Sequence, residues 1–64
     1  MTTTKATDRN GNTIYEVRDG AEVVGYVHKC SGYYRAELPN GSGRSVTSVK
    51  KGVELISFWL RMAS

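Results

Sequence analysis

The side chains that could carry chemistry in this chain are few. It has one histidine, His28, and one cysteine, Cys30. No arrangement of nucleophile and base surrounds His28, which favours a structural histidine over a general base. Nothing beside Cys30 indicates an activated thiol, and one histidine with one cysteine does not make a metal-ligand set. The sequence therefore predicts no enzyme, no metal site, no cofactor and no small-molecule substrate.

A second group of residues has the side-chain types that contact phosphates and base edges. The chain is 64 residues long with a net charge of +3, which favours acidic partners only weakly. The candidate nucleic-acid-binding residues are Arg18, Lys29, Tyr33 and Arg35. Whether these four side chains can contact a nucleic acid together depends on the strands that carry them.

Three strands are predicted as an antiparallel meander. Residues 13–18 form the first and residues 22–29, rich in β-branched and aromatic side chains, form the second. Asp19-Gly20 or Gly20-Ala21 makes the tight turn between them. The third strand ends at Pro39, which lacks the N–H that a ladder needs.

The second turn decides which side chains face the core. A three-residue loop, Cys30-Ser31-Gly32, would set Lys29 opposite Tyr33 and His28 opposite Tyr34. The predicted inner face is then Tyr15, Val17, Val24, Tyr26, His28, Tyr34, Ala36 and Leu38. The predicted outer face is Ile14, Glu16, Arg18, Val23, Gly25, Val27, Lys29, Tyr33, Arg35 and Glu37. On this outer face we expect the two glutamates to pair with Arg18 and Arg35 across the strands.

A C-terminal helix is predicted from an N-cap at Thr47 or Ser48 to about Met62. Gly52 would let its backbone approach a strand closely. The stripe that packs on the sheet is Val49, Val53, Ile56, Leu60 and Ala63. Further apolar side chains form a candidate partner or dimer surface, unless the sheet is wide enough to cover them: Leu55, Phe58, Trp59 and Met62.

The remaining segments complete an α+β domain over residues 13–64, a three-stranded meander with one C-terminal α-helix packed on one face. Residues 1–12 are predicted as a flexible tail, with a short edge strand over residues 2–7 as the alternative. Residues 44–46 form either a short additional strand or the lead into the helix. The N-terminus has no apolar run, and residues 53–63 are too short and too charged to span a bilayer, which predicts a cytoplasmic protein.

The order of turns and strands resembles small β-β-β-α proteins of phage and actinobacterial genomes. The resemblance rests on the Asp19-Gly20 turn, Val24-Gly25-Tyr26-Val27, Gly32-Tyr33-Tyr34-Arg35-Ala36 and the Ser/Thr-capped helix. The predicted architecture is also similar to that of the DNA-binding domains of plant ethylene-response factors and the arm-binding domains of phage integrases. There a three-stranded sheet enters the major groove, which implies DNA contacts by Arg18, Lys29, Tyr33 and Arg35.

The sequence thus predicts a small non-enzymatic binding module of phage type. The first expectation is DNA binding through the exposed sheet face. The alternative is a protein-binding or inhibitory module, in one version a homodimer, that uses the surplus apolar surface of the helix.

Overall fold

A computed structural model describes residues 1–63 of the chain, with the backbone alone at Ala63. Within them one antiparallel sheet, ordered β1-β2-β3-β4-β5, packs against one helix. The elements are β1 (Thr2–Thr7), β2 (Thr13–Asp19), β3 (Glu22–Lys29), β4 (Tyr34–Glu37), β5 (Gly43–Val46) and α1 (Val49–Ala63). The predicted α+β class is confirmed, but the described sheet has five strands instead of three. The Ala63 side chain, predicted in the helical stripe, and Ser64 lie outside the described residues.

The first additional strand lies where a tail was predicted. β1 pairs with β2 along its whole length, and the Asp8 carboxylate organises the turn between them. Its Oδ1 accepts the backbone N–H groups of Asn10 and Asn12, both at 2.9 Å. This corrects the predicted tail over residues 1–12 and matches the alternative edge strand. Residues 44–46 lie within β5, the second additional strand.

A β-bulge in β3 reverses part of the predicted facing. Val17 lies opposite Gly25 and Arg18 opposite Val23, so Val24 has no partner of its own. One extra residue exchanges the two faces of a strand. Gly25 and Val27 therefore face the helix.

The prediction was wrong for β3 as a consequence. Val27 is fully buried instead of exposed. Tyr26 and His28, predicted inside, lie opposite Glu16 and Ile14 on the sheet face turned away from the helix.

The turn after β3 also differs from the prediction. Lys29 lies opposite Tyr34, so residues 30–33 connect the strands and the three-residue loop is wrong. This one-residue change cancels the effect of the bulge. Tyr34, Ala36 and Leu38 therefore pack in the core, as predicted.

The helix approaches β3 closely because glycines remove side chains from both surfaces. A Cβ built on Gly52 would lie 2.7 Å from Val27 Cγ2, and one built on Gly25 would lie 2.9 Å from Ile56 Cδ1. Both distances are shorter than a carbon–carbon contact allows. Val27 and Ile56 are both fully buried in the core. The expected role of Gly52 is confirmed.

The helix begins where the sequence predicts. The Ser48 Oγ accepts the backbone N–H of Lys51 at 3.1 Å, the geometry of an N-cap. The rest of the predicted stripe packs against the sheet: Val49, Val53, Ile56 and Leu60.

Replacement of Gly52 by alanine tests this close approach. Alanine is favoured over glycine in a helix interior by about 1 kcal/mol. We nevertheless expect Gly52→Ala to lower the free energy of unfolding by about 1–2 kcal/mol, because the new methyl group overlaps Val27. Urea unfolding measures the change.

Val27→Ala provides the matched background. With the valine methyl groups removed, Gly52→Ala should be neutral or stabilising. A stabilising effect of Gly52→Ala in the otherwise native chain would contradict the packing described.

Candidate functional site

One face of the sheet is not covered by the helix, and we call it the open face. The pairing register places these strand residues on it: Thr2, Thr4, Ala6, Ile14, Glu16, Arg18, Val23, Tyr26, His28, Arg35, Glu37, Gly43 and Ser45. It was predicted to hold Gly25, Val27 and Lys29, and the bulge explains why these point to the helix side instead.

The two arginines of the open face are paired with glutamates. The Arg18 guanidinium lies 2.8 Å from Glu16 Oε1, and Arg35 Nε lies 3.8 Å from Glu37 Oε2. These partners are the predicted ones, but each pair is made by alternate residues of one strand and not across strands. Glu37 also reaches across to His28, with Oε1 3.3 Å from Nε2.

The open face therefore has no surplus positive charge on its strands. Two arginines and two glutamates balance one another among the strand residues assigned to this face. The net charge of +3 must come from other parts of the chain. Duplex DNA binding draws much of its affinity from basic side chains that neutralise phosphates. The open face offers little net positive charge for this purpose.

The structure does not bring the four predicted DNA-contacting residues together. Arg18 and Arg35 lie on the open face. Lys29 belongs to the helix side of β3, and Tyr33 lies in the β3–β4 connection with 47% of its surface exposed. The two arginines share the open face, and Lys29 lies with Arg35 in the wall of a hollow at one end of the sheet.

The width of the sheet also bears on the predicted groove insertion. Five strands spaced as in ordinary sheets are about 19 Å across. The major groove of B-DNA is about 12 Å wide. The described sheet is therefore wider than this groove.

A second stripe of apolar side chains runs along α1 at i, i+3, i+4 and i+7: Leu55, Phe58, Trp59 and Met62. The sheet covers half of this second stripe, since Leu55 and Trp59 pack against the core. Phe58 and Met62 remain 49% and 70% exposed. The sheet therefore covers Leu55 and Trp59, and a partner or dimer surface at Phe58 and Met62 stays a prediction.

An open groove of about 490 Å³ adjoins the second stripe. It lies between the β4–β5 turn and the C-terminal half of α1, with Trp59 and Met62 in its wall. Arg44 also lines it, because the pairing of Arg44 with Ala36 puts it on the helix side of β5. Sequence reasoning missed Arg44, since it left open whether residues 44–46 form a strand.

A smaller hollow at one end of the open face, of about 270 Å³, is lined by polar groups that include Asp8, His28, Cys30 and Glu37. Across residues 1–63, no three His, Cys, Asp or Glu side chains are grouped so that they could hold a metal ion. The Cys30 Sγ lies 3.9 Å from the carbonyl oxygen of His28, which is a local contact.

Comparison with models of protein families, with curated proteins and with solved structures found no match to this chain. The resemblance to DNA-binding β-β-β-α domains therefore stays a prediction. In the described part of the chain, no helix is both long enough and apolar enough to cross a membrane.

The ion pairs of the open face should contribute little to stability. All four partners are partly exposed, and exposed pairs are typically worth less than about 1 kcal/mol. We expect Glu16→Gln with Glu37→Gln to change the free energy of unfolding by no more than about 1 kcal/mol. Urea unfolding beside Glu54→Gln, a control on the exposed side of α1, measures it. A loss above about 2 kcal/mol would show that these pairs hold the sheet together.

Proposed function

We propose that this chain is a non-enzymatic protein-binding module that docks an apolar, acidic segment of a partner protein on the second stripe and the adjoining groove. The observation that carries the proposal is the exposure of Phe58 and Met62 beside a groove walled by Trp59. Clustered exposed apolar side chains typically mark interaction sites.

Burial of these side chains would supply substantial binding energy. Full burial of a Phe or Met side chain contributes roughly 1.5–3 kcal/mol, before the cost of association is subtracted. The spacing of the second stripe is the one with which amphipathic helices make contact in protein complexes. Trp59 is of the residue type most often found at the energetic centre of such interfaces.

The charge around the second stripe favours an acidic partner. Arg44 lies in the groove itself. On α1, Lys51 and Arg61 are exposed at helical spacing from Leu55 and Phe58, and Glu54 is the acidic residue beside them. Complementary charge would speed association and set the orientation of the partner more than it would add affinity.

DNA binding through the open face remains a second candidate. It is favoured by the placement of Arg18 and Arg35 on an uncovered sheet face, as the sequence predicts. Both ion pairs are exposed enough to be exchanged for phosphate contacts at small cost. The balanced charge and the width of the sheet make it the weaker proposal.

A random peptide display library, selected on the immobilised full-length chain, tests the first proposal. We expect the enriched peptides to combine apolar and acidic residues. Met62→Asp and Arg44→Glu should each weaken their binding about tenfold or more, which corresponds to about 1.4 kcal/mol. Arg35→Glu, on the open face, is the control and should leave affinity unchanged. Enriched peptides that bind the Met62→Asp chain as tightly as the native one would refute the proposal.

Gel retardation of random-sequence duplex DNA at two salt concentrations tests the second. If the first proposal holds, replacement of the two open-face arginines should not change the retardation of the DNA. Retardation that weakens steeply with salt and disappears in Arg18→Gln with Arg35→Gln would instead favour DNA. The unfolding midpoint of the double variant controls for loss of fold.

A further inference from the structure

The backbone of β1 has an unused hydrogen-bonding edge. The N–H of Asp8 donates to the carbonyl of Asn12 at 2.9 Å, which makes this a hydrogen-bonded pair at the end of the β1–β2 ladder. Such pairs alternate along antiparallel strands. Even-numbered residues of β1 therefore bond to β2, whereas Thr3, Lys5 and Thr7 point their N–H and C=O groups away from the sheet.

The same alternation can be checked further along the sheet. The alternation of hydrogen-bonded pairs can be followed from β2 through β3 to β4 with the observed register. It then requires hydrogen bonds between Cys30 and Tyr33 and between Leu38 and Ser42. Both are present, at 2.9 and 2.8 Å. The direction of the β1 backbone groups is therefore consistent with the whole ladder.

The β1 edge also lacks most of the usual protection against strand addition. Four of its six residues are threonines, which favour extended structure, and it contains no proline. The other edge, β5, offers only Gly43 and Ser45 within a four-residue strand. β1 is the better site for another strand.

We infer that β1 pairs antiparallel with β1 of a second copy of this chain, joining two sheets into one of ten strands. A two-fold axis would set Thr4 opposite Thr4 of the second copy and Thr3 opposite Lys5 of the second copy. This register uses four outward hydrogen bonds and overlaps five residues of each strand. The equally long register centred on Lys5 would form one more hydrogen-bonded pair, but it would place two lysines directly opposite each other, and we expect this repulsion to disfavour it.

The position of the helix permits this pairing. α1 packs mainly on β3, β4 and β5. Beside β1 the helix shares a hollow with Met1, the residue that precedes the strand, and Met1 lies outside the five residues that this register pairs. A two-fold axis perpendicular to the sheet leaves both helices on the same side and closes the assembly at two copies. A single strand pair buries little surface, so the dimer is a weak one in equilibrium with monomer.

Disulfide trapping tests the register directly. Opposed residues in a non-hydrogen-bonded pair have Cα atoms about 4.5 Å apart, within the range of a disulfide. In a Cys30→Ser background, Thr4→Cys should give a covalent dimer in glutathione buffer. Ala6→Cys is the matched control, because in this register its two copies lie about 13 Å apart along the strands. Equal yields from the two variants, or no dimer from Thr4→Cys, would overturn the inference.

Sedimentation equilibrium of the native chain gives a second reading. The mass should rise with concentration, and Thr3→Pro should abolish the rise. Proline removes an outward N–H at this position and leaves the β1–β2 ladder intact. The unfolding midpoint of dilute Thr3→Pro should stay close to that of Thr3→Ser, the control. A native chain that stays monomeric at millimolar concentration, or a dimer that survives Thr3→Pro, would refute the proposed edge.

Discussion

The structure depends on the close approach of α1 to β3, which two glycines make possible from opposite sides. Gly52 leaves room on the helix for Val27, and Gly25 leaves room on the strand for Ile56. Among the described residues, four apolar side chains are fully buried, and two of these four lie at the glycines. Loss of either contact would therefore remove a large part of the core. The contact also fixes which face of β3 is inside, since Val27 meets Gly52 only if odd-numbered residues of that part of the strand point to the helix.

The makeup of each outer surface follows from that constraint. With Val27 inside, Tyr26 and His28 must lie on the open face, where the rings are 6.4 Å apart between centroids. His28 then reaches Glu37, which also holds Arg35, and the charge on this face is balanced. The helix packs mainly on β3, β4 and β5, so it leaves Phe58 and Met62 of the second stripe exposed and lies mostly away from the β1 edge. The two proposed interaction surfaces therefore lie on different parts of the molecule and can be tested independently.

Sequence patterns predicted the elements whose signals are local. The Ser48 cap, the helical stripe, the purpose of Gly52 and the inward facing of Tyr34 and Ala36 all follow from spacing and residue type. The facing of β3 was not predicted. Gly25 beside Val24 is a local signal, but a glycine inside a strand is typical of either a bulge or a close approach, and one extra residue exchanges both faces. The sequence predicts β1 only as an alternative to a tail, since a polar threonine-rich segment becomes a strand only when β2 offers an edge. Arg44 became a groove residue only through its register with Ala36.

The most direct test of the account is a nuclear Overhauser measurement on the isotopically labelled chain. The α protons of Gly52 should show strong cross-peaks to the methyl groups of Val27, and Ile56 methyl groups should show them to the α protons of Gly25. The rings of Tyr26 and His28 should show none to the helix. Cross-peaks from those rings to Ile56, with Val27 methyl groups free of contact to Gly52, would show that β3 faces the other way and would contradict the account.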